Sequence, residues 1–201
     1  SPEEAAAEVL HRMRGREHLI DFTTYTLPKY KADPFHNLVA SKLEAVERGE
    51  IKRLMIFAPP RHGKSELSTR RFPAYFMAKR PDRNVISASY NGDFATTFGR
   101  EVRNIVSSEQ FSTLYPDVNI RSDNRAADEW ELKQGGKYFA VGVGTGTTGK
   151  GAHLFLIDDP VKNREDADSE IIRKKTKDWY TSTAYTRLMP GGRVVIIQTR
   201  W

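Results

Sequence analysis

Two short stretches of the chain carry residue types whose spacing can do chemistry. The first is Ala58-Pro59-Pro60-Arg61-His62-Gly63-Lys64-Ser65. It meets the pattern G-x-x-x-x-G-K-[ST] at every fixed position except the first, where Ala58 stands for glycine. Such a loop turns backbone N–H groups toward phosphate oxygens, and a helix opening at Gly63 adds the attraction of its positive end. Lys64 is then placed to reach the outer phosphates of a nucleoside triphosphate, and the Ser65 hydroxyl to ligate magnesium. Arg61 is a second cation on the same loop, and Pro60, His62 and Glu66 complete the candidate binding set. The second stretch, Leu154-Phe155-Leu156-Ile157-Asp158-Asp159, is an apolar run that ends in two carboxylates. Asp158 suits magnesium, which takes few carboxylates beside phosphates and water. Asp159 suits the orientation or deprotonation of an attacking water. Plainer readings exist for each: a basic turn before a helix, and an Asp-Asp-Pro turn after a strand. Found together in one strand-and-helix series, the two stretches favour a site for ATP and Mg2+.

The elements that must position these residues alternate along the chain. Apolar runs at 53–58, 84–89, 153–157 and 193–198 read as buried strands. Helical spacing is expected over 1–15, where Ser1, Pro2, Glu3 and Glu4 make a capped start. It recurs over 35–49, 63–78, 93–106 and 170–185. Residues 129–132 and 137–141 alternate around Gln134-Gly135-Gly136 as an antiparallel hairpin. Strand alternating with helix implies an α/β fold on a mainly parallel sheet, whose ligands sit beyond the carboxyl ends of the strands. Successive strand residues face opposite sides, so Asp158 and Asp159 diverge unless the turn that begins there brings both to the site.

Bulk properties narrow the classes. At 201 residues the chain suits one α/β domain with a small helical annex, divided here as an N-terminal helical segment, 1–34, and a nucleotide-binding domain, 35–201. It has no cysteine, so disulfides and thiolate metal sites are excluded. No apolar run reaches the roughly 18 residues of a membrane span, and the first 20 residues lack a signal-peptide core. A net charge of +6 suits a polyanionic partner without requiring one. The densest basic run, Arg173-Lys174-Lys175-Thr176-Lys177 beside Trp179 and Tyr180, reads better as a solvated helix face with its aromatics turned inward than as a DNA contact.

The two chemical stretches and their surroundings resemble the ATPase domain of tailed-phage large terminases. The likeness spans roughly residues 35–201. It is carried by Ile51-Lys52-Arg53-Leu54 leading into the 58–66 loop, by Ser89-Tyr90-Asn91, and by Phe98-Gly99-Arg100-Glu101-Val102-Arg103. It continues through Gly149-Lys150-Gly151, Ile157-Asp158-Asp159-Pro160-Val161-Lys162, Trp179-Tyr180 and Gln198-Thr199-Arg200-Trp201. The resemblance implies a P-loop NTPase fold of the additional-strand type, with ATP hydrolysis driving double-stranded DNA into a procapsid. It also implies a homo-oligomeric, pentameric ring on a capsid portal protein, a small terminase subunit as partner, and the cytoplasm of an infected bacterium as location.

The same likeness implies that Thr199 and Arg200 couple to the state of the γ-phosphate, although Thr199 also fits a simple strand end. It points to Phe35 and His36 for adenine, although Phe35 equally fits the core. Where many terminases carry glutamate, this chain has Asp159. Where many carry an arginine that enters the neighbouring subunit's site, it has Lys150, which lacks the planar guanidinium fork; Arg121 or Arg125 are substitutes. The nuclease domain of full-length members is expected to lie outside these residues, and DNA cutting to be absent. Two rivals remain open at this level: another P-loop nucleic-acid motor such as a helicase, and a nucleotide-binding assembly module that never hydrolyses.

Overall fold

The computed structural model describes residues 1–147 and 149–200; Thr148 and Trp201, the last residue of the closing motif, lie outside the described residues. Ser1 caps α1 (Pro2–Glu17), its hydroxyl accepting from the Glu4 amide while the Glu4 carboxylate reaches back to the Ser1 ammonium. The helix does not stop at Gly15. A Cβ there would stand 3.3 Å from both methyls of Leu114, so this glycine permits close packing and terminates nothing. A short helix absent from the sequence expectations follows, α2 (Leu19–Thr26). Its Leu19 and Phe22 are fully buried in the same core as the sheet, so the N-terminal segment packs onto the rest of the chain. Asp33 then caps α3 (Pro34–Arg48), which ends on left-handed Gly49 as its spacing predicts.

From there the chain alternates. It passes through β1 (Arg53–Ala58), a π-helical segment (Glu66–Arg71), α4 (Phe72–Lys79), β2 (Val85–Ser89), α5 (Gly92–Val106) and α6 (Glu109–Leu114). An antiparallel group of β3 (Ile120–Arg125), β4 (Glu129–Leu132) and β5 (Lys137–Gly142) follows. The last section holds β6 (Ala152–Asp158), α7 (Arg164–Asp168), α8 (Glu170–Trp179), a π-helical turn with a 3-10 turn, and β7 (Leu188–Thr199). Two expected helices are therefore composite. The 63–78 helix is π-wound between Lys64-Ser65 and α4, and the 170–185 helix loses its α-winding at Tyr180.

Among the described residues, seven strands form one sheet in the order β1-β7-β6-β2-β5-β4-β3. The first five run parallel; β4 runs antiparallel to both its neighbours, β5 and β3, so β3 returns to the direction of the five. This is a P-loop α/β fold, and β7 is the additional strand: it lies between β1, which feeds the 58–65 loop, and β6, which carries the acid pair. One sheet face presents Leu154, Leu156, Val195 and Ile197 to α3, α4 and the π-helical segment. The other presents Phe155, Ile157 and Val194 to Trp179 and Ala184. Trp179 also donates to the Thr145 carbonyl at 3.3 Å, while Arg173, Lys174, Lys175 and Lys177 remain exposed. The basic run is therefore the outer face of a helix whose aromatic residues point to the core.

Candidate functional site

Register aligns the carboxyl ends of the central strands. Ala58 pairs with Thr199, Asp158 with Ile197, and Ser89 with Asp158. The loop after β1, the acids after β6 and the end of β7 therefore meet at one edge of the sheet, and β7 stands between the other two.

The loop adopts conformations that few residues tolerate. Arg61 has φ 62° and Gly63 φ 71°, both left-handed. Gly63 is further constrained from outside, because a Cβ there would lie 2.8 Å from Nε2 of His36. His36 is held in turn by the cap of α3: its Nδ1 accepts from the Asp33 amide, and its Nε2 lies 3.0 Å from the His62 carbonyl. His36 thus braces the loop from the α3 side. The neighbouring Phe35 packs against the main core, with its ring 5.6 Å from that of His36.

Lys64 is buried, and its ammonium donates to the Thr199 hydroxyl at 2.8 Å and lies 3.5 Å from Asp159 Oδ2. Asp159 in turn accepts from the Thr199 amide at 2.5 Å and from the Thr199 hydroxyl at 3.1 Å. The divergence expected of adjacent strand residues is removed by backbone geometry. Asp159 has φ 42°, and its own amide still donates to Ile197 at 2.8 Å, so β6 ends in a left-handed turn that swings the second carboxylate over to β7.

Asp158 points to the face that carries the loop's helix. It is 1% exposed; Thr69 donates to its Oδ2 at 2.8 Å, Ser89 donates to its carbonyl at 2.9 Å, and Oδ1 has no hydrogen-bond partner. Burial pushes its pKa up to about 6, helped by the charge of Asp159 and opposed by the Thr69 hydrogen bond, the nearby Ser65 hydroxyl and Lys64. A buried anionic oxygen without a partner, beside a serine hydroxyl, fits a hard divalent cation. Among the described residues no group of three or more His, Asp or Glu could hold a metal by itself. A divalent cation held at Ser65 and Asp158 would have to draw its remaining ligands from phosphate and water.

The other candidates are distributed less centrally. Pro60, Arg61 and His62 are exposed on the loop. The Glu66 carboxylate pairs with Arg71 at 2.8 Å and with Arg70 at 3.6 Å, away from the Lys64 cluster. Arg200 is exposed and lines a depression with Phe57, Arg173, Gln198 and Thr199, but it is the Thr199 hydroxyl, not Arg200, that contacts Lys64. Lys150 belongs to the opposite sheet face of its own chain, 3.5 Å from Glu129 and 4.6 Å above the Phe139 ring. Arg121 is engaged by Asp123 and Glu131, and both Arg121 and Arg125 lie on β3 at the far edge of the sheet. Sequence reasoning missed Thr69. Its only local signal is a Ser68-Thr69 pair inside a helix, where hydroxyls have no propensity reason to be.

The family model for the terminase large subunit, T4likevirus-type, N-terminal, matches residues 55–193. No curated protein sequence matches. Among solved structures, the Thermus phage P74-26 large terminase ATPase domain aligns with a TM-score of 0.55 at 14% identity, over 87% of this chain and 67% of that one. The HK97 bacteriophage large terminase aligns with a TM-score of 0.54 at 13% identity, over 86% of this chain and 34% of that one. The chain thus spans about a third of the HK97 protein. At these identities the structural likeness speaks for the fold, and the family match over most of the length speaks for descent. This chain belongs to the terminase large subunit, T4likevirus-type, N-terminal family.

Proposed function

We propose that this chain is a magnesium-dependent ATPase whose hydrolysis drives double-stranded DNA into a procapsid. The single observation that carries the reading is the Lys64–Thr199–Asp159 hydrogen-bonded group at the carboxyl edge of the sheet, with Asp158 and Ser65 beside it. Loop amides, Lys64 and Arg61 hold the triphosphate, and Ser65 and Asp158 supply the oxygen ligands for Mg2+. The ion, when bound, neutralises charge developing on the phosphate oxygens. Asp159 aims a water at the γ-phosphorus and takes up its proton as the new P–O bond forms and the bond to the bridging oxygen of ADP breaks. Positioning and electrostatics do most of the work in such a reaction.

The same reading assigns the capsid portal protein, a small terminase subunit and a ring of copies as partners, and the infected cell's cytoplasm as the setting. No helix among the described residues is long and apolar enough to cross a membrane. Because Lys150 is held on the far face of its own chain, it can serve catalysis only in a neighbour's site. If a neighbouring copy supplies the missing cation, an isolated copy hydrolyses slowly, since an arginine finger is worth about 10³ to 10⁵ in rate.

The test is phosphate release with and without Mg2+, over a range of protein concentrations, with and without procapsids. Lys64→Ala is expected to lose ATP binding, whereas Asp159→Asn binds ATP and fails to turn it over. Equal loss of binding in both removes the role given to Asp159. Nucleotide binding without any phosphate release points to an assembly module, and strand separation independent of procapsids points to a helicase.

A further inference from the structure

We propose that Thr69 is a positioning residue that fixes the Asp158 carboxylate so that one oxygen is anchored and the other is presented to the metal; this rests on the reading of Asp158 as a magnesium ligand. Three observations carry it. The first is the winding of the helix that follows the loop. Residues Glu66–Arg71 are π-helical, with the Phe72 amide bonded to the Leu67 carbonyl five residues back. π-Helical turns are rare and concentrate at functional sites. Three consecutive residues of this segment, Leu67, Ser68 and Thr69, are fully buried.

The second observation is the partner that Thr69 takes. A threonine inside a helix ordinarily bonds a carbonyl of the preceding turn. Here the hydroxyl crosses to β6 and donates to Asp158 Oδ2 at 2.8 Å, a contact between buried groups 89 residues apart in sequence. A hydrogen bond to a charged acceptor in a buried setting is among the stronger kind and sets the rotation of the carboxylate plane.

The third observation is what that rotation leaves over. Asp158 Oδ1 is buried with no hydrogen-bond partner. Leaving a charged oxygen unsatisfied is costly unless a cation completes it. The backbone end of the same residue is pinned as well, by Ser89 to its carbonyl. Thr69 therefore does for the carboxylate what a ligand's outer partner does at any metal centre: it chooses which oxygen points inward.

The experiment compares Thr69→Val, Thr69→Ser and Asp158→Ala by the Mg2+ concentration needed for half-maximal binding of a fluorescent ATP analogue, with thermal melting as the folding control. Thr69→Val should raise that concentration about 10- to 100-fold, the usual cost of losing an outer partner. Affinity for the analogue in EDTA should not change. Thr69→Ser keeps the donor and should stay within about threefold of the wild type. In an Asp158→Ala background, Thr69→Val should have no further effect. If valine does not fold, Thr69→Ala supplies the same comparison. A metal curve moved by Asp158→Ala but not by loss of the Thr69 hydroxyl overturns this inference alone, as does a serine variant that behaves like valine. A curve that Asp158→Ala leaves unmoved overturns the metal assignment of Asp158 itself.

Discussion

The Lys64 ammonium donates to the Thr199 hydroxyl at 2.8 Å, and that hydroxyl donates onward to Asp159 at 3.1 Å. The binding lysine and the candidate water-orienting acid are thus joined through a single residue at the end of β7. On the proposed function, a triphosphate on the loop would compete with Thr199 and Asp159 for the ammonium, and nucleotide binding would act directly on the acid.

Thr199→Val removes both side-chain links but keeps the backbone amide that also bonds Asp159. ATP-analogue affinity is expected to stay within about threefold, while turnover falls roughly 10- to 150-fold, the equivalent of one hydrogen bond to a charged group. Titration of a fluorescent analogue set beside phosphate release separates the two. A matching fall in affinity shows instead that Lys64 depends on Thr199 for its placement.

Asp158 predicts a pH signature in metal-free protein. Its folded-state pKa of about 6 lies above the ordinary aspartate value of 3.8, so the unfolded chain ionises first as pH rises. The contribution of this group to stability is fully present below pH 3.8 and is lost as pH rises through 6. Wild type should therefore lose stability relative to Asp158→Asn between about pH 4 and 6.5, by on the order of 2 kcal/mol. Groups common to both proteins cancel in the difference. Denaturant melts in EDTA at several pH values measure it, and a gap that does not change with pH removes the buried-charge account.

Gly63 answers two constraints, a φ of 71° and the His36 ring 2.8 Å from any Cβ. Gly63→Ala is expected to cost about 1–3 kcal/mol and most ATP binding. Adding His36→Ala relieves the contact but not the left-handed backbone, so melting should recover in part and binding should not return. Full recovery shows that the backbone strain was negligible.

Lys174 and Lys175 extend from the exposed side of α8 while Trp179 anchors its inner side. Replacing both with alanine should change stability by less than about 0.5 kcal/mol. It should also leave the salt dependence of DNA binding unaltered. A salt slope that flattens by about one to two phosphate contacts reassigns this face to DNA.

Much of the site was legible in order along the chain. The Ala58–Ser65 pattern and the Asp158-Asp159 pair declare themselves because phosphate and magnesium chemistry restricts residue type at fixed local spacing. Strands β2, β6 and β7 were legible because buried parallel strands are short, nearly continuous apolar runs. β1 has the same composition and is a strand, but it is not buried as expected: it forms the sheet edge, with Met55 58% and Phe57 55% exposed. α2 was not, since eight residues rich in threonine and aromatics show no helical preference, and burial of Leu19 and Phe22 forms it. β3 was not either, because Ile-Arg-Ser-Asp-Asn-Arg is a polar edge strand without alternation.

The sequence by itself therefore determined which residues make up the candidate phosphate site and that a mainly parallel sheet would carry them, since local spacing and hydrophobic period are properties of neighbours in the chain. Only the tertiary structure decided that β7 enters between β1 and β6, that a left-handed Asp159 turns its carboxylate toward Thr199, and that Thr69 reaches Asp158. Those are contacts between distant segments, selected by how two sheet faces pack, and no local preference of the residues involved encodes them.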